Sequence, residues 1–263
     1  MNYLTNQGRG IHYVESGSGF PVVLLHSLGG SSLDWLYQVD DLVEAGFRVI
    51  VPDIAGHGGS SRVEQPITLD ELANDVWTIL DAIKISQVHV IGLSLGGLIG
   101  LAVAAQRPDR IAKLVLISSF ANTQSDAFNQ VAAGWKQGFV KEKGVCSWFE
   151  KGWPHLTNEP FRQSAKGRQT YLIFHEVAAM GDGVSMAHII DTSTGVDLSD
   201  SAARLPMDIL LLSGQDDGIS EQMEALLGSL RSGRHVAIPG GKHLVNVDSS
   251  DEVSSVLRQF LIE

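Results

Sequence analysis

The chain has 263 residues, 44% hydrophobic and 19% charged, which supports one α/β domain with a modest insertion and excludes a mainly disordered chain. Its 19 Lys and Arg against 30 Asp and Glu give a formal net charge of −11, which disfavours phosphate backbones and anionic lipid, so neither nucleic acid nor membrane is an expected partner. The single cysteine, Cys146, rules out an internal disulfide and cannot build a thiolate zinc site alone.

Met1 to Arg9 is polar and lacks the apolar stretch of a secretion signal, so with one cysteine a cytoplasmic location is expected. Pro21 to Leu25 reads as a buried strand, Leu33 to Val43 as helical, and Phe47 to Val51 as a second strand. Thr68 and Glu71 stand at capping-box spacing, and Leu72, Val76, Ile79 and Ile83 continue a helical apolar stripe. Val88 to Ile91 is a third strand. The apolar run onward to Ala105 approaches the length of a membrane span, but Gly92, Gly96, Gly97 and Gly100 interrupt it. A strand, a sharp turn and a buried helix are expected there.

Lys113 to Ile117 is a fourth strand. Between about Ala121 and Ala202 the alternation stops, and helical segments broken by glycine and proline concentrate aromatic residues. Strands resume at Ile209 to Leu212 and His235 to Ile238, and a last helix opens at Ser250. Strand runs apolar on both faces belong in a sheet covered on both sides, which with intervening helices means a parallel sheet. The expected layout is an α/β core of residues 1–120 and 203–263, a mostly parallel sheet flanked by helices, with a helical cap insertion at 121–202.

Gly92-Leu93-Ser94-Leu95-Gly96 matches G-x-S-x-G with a strand running in and an apolar helix running out. In that context the serine sits in a strained turn above the sheet, and side chains at the flanking glycines would collide with neighbouring elements. The structural alternative is a glycine-rich helix start capped by Ser94. His26-Ser27-Leu28-Gly29-Gly30 follows the first buried strand, where a loop can offer a backbone N–H to a developing oxyanion. Leu28 and Leu95 are the expected donors, and His26 is expected to brace the loop.

On these segments, with Pro52-Asp53-Ile54-Ala55-Gly56-His57-Gly58-Gly59-Ser60-Ser61, the chain resembles the α/β-hydrolase superfamily over nearly its whole length. The resemblance implies an acid and then a histidine from the last strands. Gly214-Gln215-Asp216-Asp217 supplies the acid, and the family's spacing selects Asp217; Pro239-Gly240-Gly241-Lys242-His243 supplies His243. Ser94 would then be the nucleophile, His243 its base, and Asp217 the group that orients the imidazole. No metal or organic cofactor is implied, and a serine nucleophile disfavours epoxide and carbon–halogen hydrolysis.

The same segments, with His243-Leu244-Val245-Asn246-Val247, are similar to the 3-oxoadipate enol-lactonase group, although Ala55 stands where an arginine is usual. A lactone of that kind carries a carboxylate, for which Lys136, Arg162 and Arg168 are available. The expected substrate is a small, apolar or cyclic ester or lactone, with Trp135, Trp148, Trp153 and Phe120 at the pocket. A C–C bond hydrolase acting on a diketone, and a slow-turnover ligand receptor, use the same residues and remain alternatives.

Overall fold

A computed structural model describes residues 2–263; Met1, the start of the polar segment read above, lies outside the described residues. Its strands are β1 (Asn2–Asn6), β2 (Arg9–Gly17), β3 (Phe20–Leu25), β4 (Phe47–Pro52), β5 (Val88–Leu93), β6 (Ile111–Ile117), β7 (Asp208–Gly214) and β8 (Gly233–Ile238). They form one eight-stranded sheet in the order β1-β2-β4-β3-β5-β6-β7-β8. From β4 across to β8 all pairs are parallel, whereas β1–β2 and β2–β4 are antiparallel. The mostly parallel, helix-flanked sheet is therefore present, with one antiparallel hairpin added at its edge.

That hairpin was not apparent in the sequence. β1 alternates half-buried and exposed residues, and β2 is rich in Gly, Ser and Glu, so neither carries the continuous apolar run of a central strand. By contrast every residue of β5 is buried, because helices cover both of its faces.

The helices are α1 (Val39–Glu44), α2 (Leu69–Ala82), α3 (Leu95–Gln106), α4 (Asp126–Phe139), α5 (Gly144–Leu156), α6 (Glu159–Gln163), α7 (Ala165–Met180), α8 (Gly183–Thr192), α9 (Ser199–Arg204), α10 (Ser220–Ser229), α11 (Val245–Asp248) and α12 (Ser250–Ile262). Among the described residues, none is long and apolar enough to cross a membrane. The capping box of α2 forms: the Thr68 hydroxyl accepts the Glu71 N–H at 3.2 Å, and the Glu71 carboxylate accepts the Thr68 N–H at 2.9 Å.

The continuous helix expected from Leu33 to Val43 is instead a 3-10 turn over Ser32–Trp35 followed by α1. The Asn246 side chain donates to the Asp34 carbonyl at 2.8 Å, and the Gln38 N–H bonds the Trp35 carbonyl at 2.9 Å in its place. The Gln38 side chain also turns inward to donate to the Asn246 carbonyl at 2.8 Å. A tertiary contact thus interrupts the local ladder.

Helices α4 to α9 occupy the crossover between β6 and β7. The strands of chain that enter and leave it are tied together, Thr123 N–H to the Val196 carbonyl and Leu198 N–H to the Ala121 carbonyl, each at 2.8 Å. α4 packs on α8, and α5 and α6 pack on α7, whereas α9 packs on α3 and α10. The boundary expected after residue 202 therefore falls inside a helix that contacts the core.

Candidate active site

Ser94 sits between β5 and α3 with φ +52° and ψ −113°, a conformation that non-glycine residues rarely adopt and that costs roughly 1–3 kcal/mol. The surrounding backbone enforces it. Ser94 N–H donates to the Ile117 carbonyl at 2.8 Å, and its own carbonyl accepts Gly97 N–H at 2.9 Å and the Ser119 hydroxyl at 2.8 Å. A Cβ on Gly92 would lie 2.2 Å from the Gly96 carbonyl oxygen, and one on Gly96 would lie 2.1 Å from the Leu25 carbonyl oxygen. The turn closes only because both positions lack side chains. The Ser94 side chain caps nothing, so the capping alternative does not hold.

The loops after β7 and β8 bring Asp217 and His243 to this serine. His243 Nε2 lies 3.0 Å from Ser94 Oγ, and His243 Nδ1 lies 3.1 and 3.2 Å from the two Asp217 oxygens. A carboxylate can only accept, so Nδ1 carries the proton and Nε2 is free to accept from the serine hydroxyl. Burial pushes the Asp217 carboxyl up, but the hydrogen bond and charge of His243 and the Ile219 N–H outweigh it, holding the group below the usual carboxylate range. Asp216, the neighbouring acid, is exposed.

The family described as alpha/beta hydrolase fold matches residues 21–145, the stretch holding the serine turn and the loop after β3. Over the whole chain the structure is similar to the enol-lactonase from Burkholderia xenovorans LB400, with a TM-score of 0.92, 26% identity and 100% of both chains covered. The chain has the α/β-hydrolase fold. Among curated proteins it is 40% identical over 114 residues to the putative carbamate hydrolase RutD of Variovorax paradoxus, covering 42% of this chain and 43% of that one. It is 41% identical over 114 residues to the dihydrolipoyllysine-residue acetyltransferase component of the acetoin cleaving system of Pseudomonas putida, covering 43% of this chain and 30% of that protein. The chain thus spans less than half the length of these curated relatives.

A cavity of about 480 Å³ opens above Ser94 and His243. Leu28, Gly29 and Gly30 form one wall, and Trp135, Trp148, Phe149 and Phe174 supply aromatic surface from the insertion. Two of the four expected pocket residues, Trp135 and Trp148, line it; their rings meet edge to face at 5.7 Å. Trp153 and Phe120 do not. Trp153 follows Trp148 by five residues, which turns it about 140° around the helix. It is 6% exposed and packs on Phe149, Phe161, Tyr171 and Phe174. Phe120 instead meets Phe128 edge to face at 5.7 Å.

The cations expected to face a substrate carboxylate are also placed elsewhere. Lys136 pairs with Asp191, Arg162 donates to the Pro154 and Thr157 carbonyls, and Arg168 donates to the Gln163 carbonyl. The cavity is lined instead by Lys151 and His155 of α5. Trp148, Lys151, Gly152 and His155 share one face at helical spacing, a pattern present in the sequence that could not by itself say which face is inward.

The loop after β3 is held by residues that the motif alone did not assign. Asp34, wholly buried, accepts the Ser27 N–H at 3.0 Å and the Ser27 hydroxyl at 2.7 Å, and its burial raises its pKa. Leu28 lines the cavity, and Leu95 opens α3 beside Ser94. Among the described residues no protein acceptor takes either backbone N–H. No cluster of three or more His, Cys, Asp or Glu side chains among the described residues is arranged to hold a metal ion.

Proposed function

We propose that the chain is a serine hydrolase that cleaves a small carboxylic ester or lactone through an acyl-enzyme on Ser94. The observation that carries this reading is the unbroken sequence of contacts from Ser94 Oγ to His243 Nε2 at 3.0 Å and from His243 Nδ1 to Asp217 at 3.1 Å. In the acylation step Ser94 Oγ attacks the carbonyl carbon while its proton passes to His243 Nε2. The carbonyl oxygen takes up negative charge, which the N–H groups of Leu28 and Leu95 receive. Each such donor is worth roughly 10² to 10³ in rate. The imidazolium, stabilised by the ionised Asp217, then protonates the departing alkoxide. A water molecule, deprotonated by the same nitrogen, releases the acid and restores Ser94.

The cavity supports an apolar acyl or ring portion between Trp135, Trp148, Phe149 and Phe174. Similarity to an enol-lactonase along the full chain supports a lactone as one substrate form. Lys151 and His155 would face any carboxylate that such a substrate carried away from its reacting carbonyl. A small-molecule substrate with no cofactor completes the reading.

Turnover of p-nitrophenyl butyrate, and of a panel of lactones, tests it. Ser94→Ala is expected to lower turnover at least about a thousandfold while the melting temperature stays unchanged. Mass spectrometry should find an acyl adduct on Ser94 in the native chain. Full activity in Ser94→Ala would overturn the proposal.

A further inference from the structure

Two buried histidines outside the Ser94–His243–Asp217 chain grip consecutive peptide groups of the loop after β3. His26 Nε2 accepts the Ile54 N–H at 2.8 Å, so the ring proton lies on Nδ1, which donates to the Ser27 carbonyl at 2.8 Å. Ser27 O also accepts the Gly30 N–H at 3.2 Å. This carbonyl belongs to the peptide that carries the Leu28 N–H. A trans peptide is planar with C=O and N–H opposed, so holding the oxygen fixes the direction of the N–H of Leu28, a residue that lines the cavity.

The next peptide is held in the complementary way. His57 Nε2 accepts the Gly29 N–H at 3.0 Å, and its Nδ1 donates to the Ala55 carbonyl at 3.1 Å. The two rings meet edge to face at 4.8 Å, and both are anchored on the Ile54–Ala55 turn. His57 is kept neutral through the working pH range: burial, the largest cause, lowers its pKa to about 3. It therefore remains an acceptor. Protonation would set a ring N–H against the Gly29 N–H.

We propose that His26 and His57 are positioning residues for the Leu28 N–H as an oxyanion donor: His26 aims and polarises it through the Ser27 carbonyl, and His57 fixes the following peptide through the Gly29 N–H. Donation to the Ser27 carbonyl draws charge toward that oxygen and leaves the Leu28 N–H a stronger donor, as coupled hydrogen bonds do. The inference rests on the hydrolase reading of Ser94 and assigns the two histidines to its charged intermediate rather than to substrate binding.

The test measures kcat and KM for p-nitrophenyl butyrate, the inhibition constant of butylboronic acid, and the melting temperature. His26→Leu is expected to lose about ten- to a hundredfold in kcat, with KM within about threefold, and to weaken the boronic acid by a similar factor. His26→Asn retains a donor near the place of Nδ1 and should recover a large part of both losses. His57→Leu is expected to lose less, and His57→Gln, which retains an acceptor, should stand between it and the native chain. A purely structural role would lower the melting temperature without this parallel loss of kcat and boronate affinity.

Folded His26→Leu with unchanged kcat and boronate affinity overturns the proposal. If that variant does not fold, unchanged values in His57→Leu overturn it. Turnover that survives Ser94→Ala removes the hydrolase reading and this inference together. Turnover lost in Ser94→Ala but undiminished in the histidine variants removes this inference alone.

Discussion

The loops at the strand ends and the helices that roof them line one cavity by different means. Around Ser94 the surfaces are backbone, held by short polar contacts: Ser94 N–H on Ile117, Ser119 on the Ser94 carbonyl, His26 on Ser27, His57 on Gly29. In α5 the surfaces are aromatic side chains, held by one another: Trp148 on Trp135 and Phe139, Trp153 on Phe149, Tyr171 and Phe174. Directional hydrogen bonds hold groups in place to fractions of an ångström, as charge development demands. Ring packing is less directional and accommodates varied apolar shapes. On the proposed function, the difference gives the chemistry to the loops and the choice of substrate to the insertion.

The sharpest way to break that division is a single methyl group in the loops. Gly96→Ala places a Cβ 2.1 Å from the Leu25 carbonyl oxygen and 2.7 Å from that of His26, so backbone must move. Turnover should fall more than about a hundredfold, with a loss of about 1–3 kcal/mol in urea unfolding. Activity within a few-fold of the native chain would mean that the loops are less rigid than their contacts imply.

A second measurement is stability against pH. Burial lowers the His57 pKa to about 3 and, with the Lys113 charge adding in the same sense, the His89 pKa to about 4. The unfolded chain takes these protons near pH 6.5 and the folded chain does not. Stability from these groups is therefore complete above about pH 6.5 and declines as pH falls toward 4 and then 3, at about 1.4 kcal/mol per unit for each fully effective group. Urea unfolding of His57→Leu between pH 7 and 4 should show a shallower decline, leaving the share of His89.

The smallest expected effect sharpens the other side of the comparison. Trp148→Ala should raise KM for bulky apolar esters about tenfold while changing kcat little. Trp153→Leu, away from the cavity, should lower the melting temperature and leave KM unchanged. Equal effects of the two substitutions on KM would show that the insertion responds as one packed unit rather than through the residues that face the cavity.

Much of the core was readable because its signals are local. The strand leading to Ser94, the glycines around it and the helix that follows are contiguous in sequence, although the Leu25 and Ile117 carbonyls of neighbouring strands help to enforce the turn. β1 and β2 were less readable because an edge hairpin with one exposed face needs few apolar residues. The break between Trp35 and Val39 depends on Asn246, far along the chain. The insertion was legible as helical and aromatic, but the inward face of α5 was not, since Trp148 and Trp153 are alike in type and differ only in direction.

The amino-acid sequence by itself determined the alternation of buried strands and helices and signalled the tight bend at Ser94, because apolar periodicity acts over a few residues and the glycines and serine of the bend stand in one contiguous segment. Tertiary structure set the distances at which Asp217 and His243, named in the sequence only through resemblance, meet that serine, and it alone decided that Lys151 and His155 rather than Lys136, Arg162 and Arg168 face the cavity and that two histidines grip the Leu28 loop. Those outcomes depend on the relative placement of loops brought together by sheet order, and no short-range pattern encodes a distance between them.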